Sequence, residues 1–508
     1  AFSISQADAW VLKKAMMEAG SCPDESGMEP GNMGAVAVEF EARTTVAPDR
    51  ETYNIVGTIP GRGTDRMILI TAHYDSYFSG FQDDNAAVAM MFGIARALLK
   101  SGYRPKFNLV FCAMAAEEWG VANSKYDWST GAYEEVFTAH PEWRGKTFAN
   151  LNFELPAHAH GQMDAVRCIY EYEDFLSRFL EGVEVDEAAY PDGVEVLCPI
   201  QTWSDDFSMA VAGIPSMVNE FSGGEFMETH YHSQFGNDNV YQEPVYRFHH
   251  VLYGRLVMAF DRLLLPPMNF ERLIRAVTDS DDVGIRRKAE VDTWEMKRAL
   301  KKAKEVSRAL YRRITELNRD YVAFLDQGDM EAADRLFARC GEMQERLLYI
   351  FRKEQDYFVR LNWHDEVLFP QEAVQDNLRA LYKALRHAWE GNARAALEDI
   401  YGIDNNRYAF LFDEQVFNYF TQYVLNQPGN RLKWGAGRIV HHENLFQLVR
   451  SLKEKLEEGR EKDVDLTPEY LELKRVTENQ TACYRDDIRY MTESIKKLTA
   501  WMQECLTM

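Results

Sequence analysis

The sequence has no apolar run near the about 20 residues that a helix needs to cross a bilayer, so no membrane span is expected. It is short of positive charge. Its 57 Lys and Arg stand against 80 Asp and Glu, a formal net charge of −23. Such a chain offers no electrostatic footprint for nucleic acid or an anionic membrane. Cysteine is scarce and odd in number, seven in 508 residues, with no Cys-x-x-Cys pair. That is a poor disulfide framework, and reduced, buried thiols are the expectation. The cysteine count leans toward a cytoplasmic location and leaves the compartment open, with export after signal removal as the alternative. No basic stretch leading into an apolar segment opens the chain. His-Glu-x-x-His and Gly-x-Ser-x-Gly are both missing, which removes single-zinc proteases of that type and α/β-hydrolases.

What is present is ordinary globular composition, 46% hydrophobic and 27% charged, at a length that suggests two or three domains. Two regimes divide the chain near residue 280. The first holds most of the glycines and alternates short apolar runs with helical stretches. Residues 53–59 and the run Met67 to Ala72 read as strands, 86–100 as a helix, and 107–113 and 149–153 as further strands. Strand, helix, strand in this order predicts a crossover unit in a largely parallel sheet. From about Ile285 the pattern is helical. Ala303, Val306, Leu310, Ile314, Leu317, Tyr321 and Phe324 mark one face of a long amphipathic helix. Gly328-Asp329 ends it, and Leu336, Cys340, Met343, Leu347 and Ile350 mark a second. Residues 285–508 are read as an all-helical domain.

In a parallel sheet, chemistry collects at the carboxyl ends of the strands. Here each such end carries ligand-type residues. His73-Tyr74-Asp75 follow one strand and Asp83-Asp84-Asn85 open the next helix. Ala116-Glu117-Glu118-Trp119-Gly120 follow a second strand, and Asn152-Phe153-Glu154 a third. Two neighbouring divalent ions need a bridging carboxylate, terminal His or carboxylate ligands, and a separate carboxylate free to take a proton. His73 and Asp75 suit a ligand and the group that orients it. Glu117 and Glu118 suit a base and a ligand.

Together with Tyr231-His232-Ser233, these motifs resemble, in order and spacing, the M28 family of dinuclear zinc aminopeptidases. Tyr53-Asn54-Ile55-Val56-Gly57, Ile59-Pro60-Gly61 and Ala212-Gly213-Ile214-Pro215 are similar to that family too. The likeness covers residues 40–265. It implies an α/β zinc-exopeptidase fold, a mixed, mostly parallel sheet flanked by helices, over 37–280, beside the helical domain at 285–508. Residues 1–36, with Ser3-Ile4-Ser5-Gln6-Ala7-Asp8-Ala9, resemble a remnant of the protease-associated domain found in many such enzymes. The resemblance implies two zinc ions per chain. His73, Glu154 and a bridging Asp84 would hold one, and His232, Glu118 and the same Asp84 the other. Asp83 is the alternative bridge and His230 the alternative to His232. Glu117 would be the general base, Asp75 the orienter of His73, and Tyr231 the oxyanion donor. Asp205, Asp206 and His158 are substrate-binding candidates. Where relatives carry Asn-x-Ser-Gly after the bridge, Asn85-Ala86-Ala87-Val88 stand here. Gly236 replaces a customary Asp, so Asp238 is the expected partner there.

The expected function is release of the N-terminal residue of peptides. A carboxypeptidase or glutaminyl cyclase on the same fold, and a metal-free receptor-like binding protein, are the alternatives. A homodimer through the helical domain is expected, as in transferrin-receptor-like relatives.

Overall fold

The structure, a computed structural model, describes residues 4–19, 37–39, 41, 43, 45, 50–121 and 124–508. They fall into two compact units, Ala1–Glu51 and Thr52–Met508. Within the first, Gln6–Ala19 is a helix with no buried side chain. The remnant expected over 1–36 lies largely outside the described residues.

The second unit is built on a seven-stranded sheet: β1 (Ile55–Ile59), β2 (Met67–His73), β3 (Asn108–Met114), β4 (Thr147–Asn152), β5 (Met163–Cys168), β6 (Gly193–Leu197) and β7 (Ser216–Asn219). Their spatial order is β1-β3-β2-β4-β7-β5-β6. β2 runs parallel to β3 and to β4, and β4 parallel to β7. β1 is antiparallel to β3, and β5 to β7. The sheet is therefore mixed and mostly parallel, as expected. Every residue of β2 is buried, because helices cover both faces of a central parallel strand. Helix Ala86–Ser101 presents Ala87, Met90, Met91, Ile94 and Leu98 to the sheet and stops at Gly102, whose φ of 72° suits a left-handed cap.

The later part of the chain is helical apart from one small hairpin, Arg360–Leu361 paired with Val367–Leu368. The helix Trp294–Gln327 buries Ala303, Val306, Leu310, Ile314, Leu317 and Tyr321, the face that the spacing marks. Gly328 ends it at φ 74°. The next apolar face is split into two helices, Met330–Arg339 and Gly341–Phe358, meeting at Cys340. The 41-residue helix Thr467–Thr507 packs along Trp294–Gln327, Gly341–Phe358 and Glu372–Trp389. One continuous apolar core runs from Ile68 and Leu151 in the sheet to Leu310, Leu347 and Met502 in these helices. Part of this later region also reaches the loops past the strand ends, where Trp434 Nε1 donates to the Trp128 carbonyl at 3.0 Å and the Thr202 hydroxyl to the Asp365 carbonyl at 2.9 Å. Among the described residues, no helix is long and apolar enough to cross a membrane.

Candidate metal centre and its cavity

Because β3, β2, β4 and β7 are parallel neighbours, their carboxyl ends open on one side. His73 is the last residue of β2. Glu117 and Glu118 lie just past β3, Glu154 just past β4, and His232 in the loop after β7. His73 Nε2 lies 3.1 Å from Glu154 Oε1 and 3.1 Å from Asp83 Oδ1. His232 Nε2 lies 3.1 Å from Asp83 Oδ2 and 3.0 Å from Glu118 Oε1. One carboxylate, Asp83, thus spans both histidines.

This corrects the expectation for Asp84. Its Oδ1 accepts the Leu155 backbone N–H at 3.1 Å, and its Oδ2 stays 4.0 Å from His73. The backbone of both residues is non-helical. Adjacent side chains there diverge, so only one of the pair can face the histidines. Asp84 and Gln82 instead anchor the segment after Glu154, since Gln82 Oε1 accepts the Ala157 N–H at 2.8 Å.

Asp75 also acts differently from the expectation. Its backbone carbonyl accepts His73 Nδ1 at 2.9 Å, while its carboxylate is 3.6 Å away. The carboxylate oxygens take the N–H groups of Glu117 and Glu118, each at 3.1 Å. Asp75 therefore ties the end of β2 to the loop that carries both glutamates. Asn54 clamps that loop from the other side. Its Oδ1 accepts the Ala115 N–H at 2.8 Å and its Nδ2 donates to the Gly131 carbonyl at 3.0 Å. Gly131 sits so close that a Cβ would lie 1.7 Å from the Ala115 carbonyl oxygen. Ala116, Ser129 and His232 hold positive φ without being glycine, strain of the kind concentrated at functional sites.

Glu117 is buried, and the Ser129 hydroxyl donates to its Oε1 at 3.1 Å. Beneath Glu154, the Ser204 hydroxyl donates to Oε2, and Asn152 Nδ2 donates to Ser204 at 2.8 Å. The electrostatics suit a cation. Burial pushes Glu117 well above the usual carboxylate range, Glu118 to about 6 and Asp205 to about 8. Burial opposes charge on His73, yet the Glu154 and Asp84 charges raise it well above 6.5. His232 likewise rises to about 9 against the effect of burial, through Asp83 and Glu118.

The donor set fits zinc. His73, Asp83 and Glu154 converge, as do Asp83, Glu118 and His232. Two ligand atoms on one tetrahedral zinc stand about 3.4 Å apart, close to the spacings here. Glu118 Oε1 lies near His232 yet makes no hydrogen bond, as lone pairs aimed at a common third point would not. Histidine with carboxylates and one shared carboxylate is the set that borderline metals take.

A cavity of about 540 Å³ opens against the His232 side. Glu117, Glu118, Tyr231 and His232 line it, with Tyr77, Asp127, Trp128, Trp203, Phe221, Ser222 and Met227. None of these is Lys or Arg. The Tyr231 hydroxyl stays protonated, since burial and the charges of Asp83 and Glu117 raise its pKa. Asp205 and Asp206 are buried and are not among the cavity's lining residues. His158 turns its Nδ1 to the Val240 carbonyl at 2.8 Å. The structure brings none of these three to the cavity. His230 pairs with the Thr229 hydroxyl and stacks on Phe226. Asp238 is exposed at the start of a short helix. The aromatic wall and Asp127 escaped the sequence reading because they come from loops with no motif of their own.

Residues 54–249 match the model of Peptidase family M28. That segment is an M28 peptidase domain. The M28 domain spans all the residues above that face the two histidines. Probable glutamate carboxypeptidase LAMP1 of Arabidopsis thaliana is 30% identical over 125 residues, covering 24% of this chain and 18% of that protein. Aminopeptidase NAALADL1 of Rattus norvegicus is 29% identical over 115 residues, covering 22% of this chain and 15% of that protein. The chain thus spans less than a fifth of the curated relatives it matches. A zinc aminopeptidase from Bacillus subtilis, BSAP, superimposes with a TM-score of 0.34 at 20% identity, over 41% of this chain and 49% of that one.

Proposed function

We propose that the M28 domain is a metal-dependent exopeptidase that holds two zinc ions and releases the N-terminal residue of peptides. The observation that carries this reading is Asp83 shared between two histidines, one of which, His232, lines the same cavity as Glu117. Zinc bound there supplies Lewis acidity and lowers the pKa of water. Glu117 is placed to take the proton of the attacking water and return it to the departing amine. The Tyr231 hydroxyl is placed to donate to the oxyanion that develops on the scissile carbonyl. Ser129 holds the Glu117 carboxyl, and Asp75 holds its backbone.

Aminopeptidase action is favoured over cleavage at an acidic C-terminus by the cavity's lining. A C-terminal glutamate presents two carboxylates, and no lining residue offers a cationic partner. A free amino group instead meets Glu117, Glu118 and Asp127. The aromatic wall suits a large apolar first side chain. A one-zinc cyclase would leave one of the two histidine clusters without a task.

The test is turnover of aminoacyl chromogenic substrates and of peptides ending in glutamate, before and after chelation and zinc return. Chelator-sensitive release of the N-terminal residue supports the reading. Release of C-terminal glutamate alone would replace it with carboxypeptidase action.

Homodimerisation through the helical part belongs to the same proposal. Its support is the exposed aromatic group of Phe412, Tyr419 and Phe420, with the Phe412 and Tyr419 rings each 5.8 Å from that of Phe420. Light scattering showing a monomer at micromolar concentration would exclude it.

A further inference from the structure

β5 ends on Cys168, and Cys198 directly follows Leu197, the last residue of β6. The two strands are parallel neighbours with Arg167 opposite Leu197, so the two cysteines are the next pair along the register. Hydrogen-bonded strands stand about 4.8 Å apart, inside the range of about 4.4–6.8 Å that a disulfide spans between Cα atoms. The two Sγ atoms lie 3.5 Å apart, and both residues are free thiols. Among the described residues this is the one pair of cysteine sulfurs in contact.

The two thiols are not equivalent. Cys168 is fully buried and Cys198 half-buried. The Cys198 thiol donates to the Ile169 carbonyl at 3.7 Å, so the bond between the sulfurs is the one Cys168 donates. Burial and that bond push the Cys168 thiol well above its ordinary range. Cys198 is therefore the sulfur that a reagent meets first, and Cys168 the one that answers from inside. A low-barrier entry through an accessible thiol with a second thiol beside it is the layout of an attacking and a resolving cysteine.

We propose that Cys168 and Cys198 form a dithiol site that closes to a disulfide by exchange with a small-molecule disulfide such as glutathione disulfide. The Cys198 thiolate attacks one sulfur of glutathione disulfide, forms a mixed disulfide and expels one glutathione thiolate. Cys168 then attacks the Cys198 sulfur and expels the second. Each departing glutathione takes up the proton that a cysteine loses. Two protein thiols are oxidised, and one glutathione disulfide is reduced to two glutathione molecules. Cys198 opens the segment that runs through Trp203, in the cavity wall, to Ser204, which donates to Glu154. The bridge ties the start of that segment to β5.

The test is peptide mapping of the full chain, first reduced with dithiothreitol, desalted, and then incubated with glutathione disulfide. The expected result is Cys168 joined to Cys198 with the loss of two hydrogens, and both thiols restored by dithiothreitol. Cys198→Ser should form no bridge. Cys168→Ala should stop at the mixed disulfide, with one glutathione held on Cys198. Cys505→Ser, which touches neither sulfur, should bridge as the wild type does. In the wild type, no bridge, a bridge from either residue to a different cysteine, or glutathione left on Cys198 would each overturn the proposal, whether or not the buried Cys168→Ala variant folds.

Discussion

The two histidine ends of the candidate centre are built differently. His73 is the last residue of a fully buried strand and is itself 1% exposed. Asn219, the last residue of β7, accepts the backbone N–H of Glu154, the partner of His73, at 2.9 Å, and Ser204, just before the helix Asp205–Val211, donates to the Glu154 carboxylate. His232 sits in a loop, with its side chain 35% exposed and its φ positive. Its ring is flanked by Tyr77 and Tyr231, at centroid distances of 4.5 and 3.7 Å. One end is fixed by the sheet, and the other is shaped by loops and faces the cavity. The buried end is the anchored one, and the exposed end is the one that lines the cavity. Among the described residues, Asp83 is the carboxylate that lies within 3.1 Å of both rings.

Removing that common element should have the largest effect. Asp83→Asn is expected to lower kcat/KM by about 10⁴-fold or more, because both ends lose a charged ligand. Asp84→Asn should retain most zinc, measured by plasma mass spectrometry, since Asp84 bonds the Leu155 backbone instead. Next is Glu117→Gln, expected to lower kcat by roughly 10²–10⁴-fold with zinc content unchanged. An intact kcat in that variant would remove Glu117 from the mechanism.

The difference between the ends can then be sharpened by chelator titration. Zinc should leave in two phases, the His232 end first. Ser204→Ala should weaken only the tighter phase, by about 10- to 100-fold, through loss of its bond to Glu154. A single phase would mean that the two ends do not differ.

The smallest effect concerns pH. In zinc-free protein His232 is raised to about 9 and Asp205 to about 8. A raised group gives stability that is whole below its unfolded value and is lost as pH climbs through the folded one. Zinc-free protein should therefore lose Tm as pH rises from about 4 to 9, most steeply above pH 6.5, where both groups contribute. Zinc-loaded protein should change less, because metal offsets the carboxylate charge and keeps the histidine neutral. A Tm that rises over that window in the zinc-free form would contradict the assignment.

Much of this was legible in the sequence. The run at β2 and the face from Ala303 to Tyr321 declare their structures through apolar period alone. The strand-end motifs name His73, Glu117, Glu118 and Glu154 because a parallel sheet gathers its carboxyl ends. What was not legible is direction. Asp83 and Asp84 are equivalent as letters, and only the backbone torsions decide which faces the histidines. Asp75 is the same case, its carbonyl serving His73 and its carboxylate the next loop. Asp205 and Asp206 fall in a helix whose every residue is buried, which a short polar segment gives no reason to expect. The divide near residue 280 marks a change of element type, while the apolar core runs straight across it.

The most direct test of the central claim is zinc stoichiometry after reconstitution, measured side by side for wild type, Asp83→Asn and Asp84→Asn. Two zinc ions per chain in the wild type, nearly two in Asp84→Asn and fewer than one in Asp83→Asn is the result expected. Two in Asp83→Asn with loss in Asp84→Asn, or a single zinc in the wild type, would contradict a carboxylate of Asp83 shared between two metal ions.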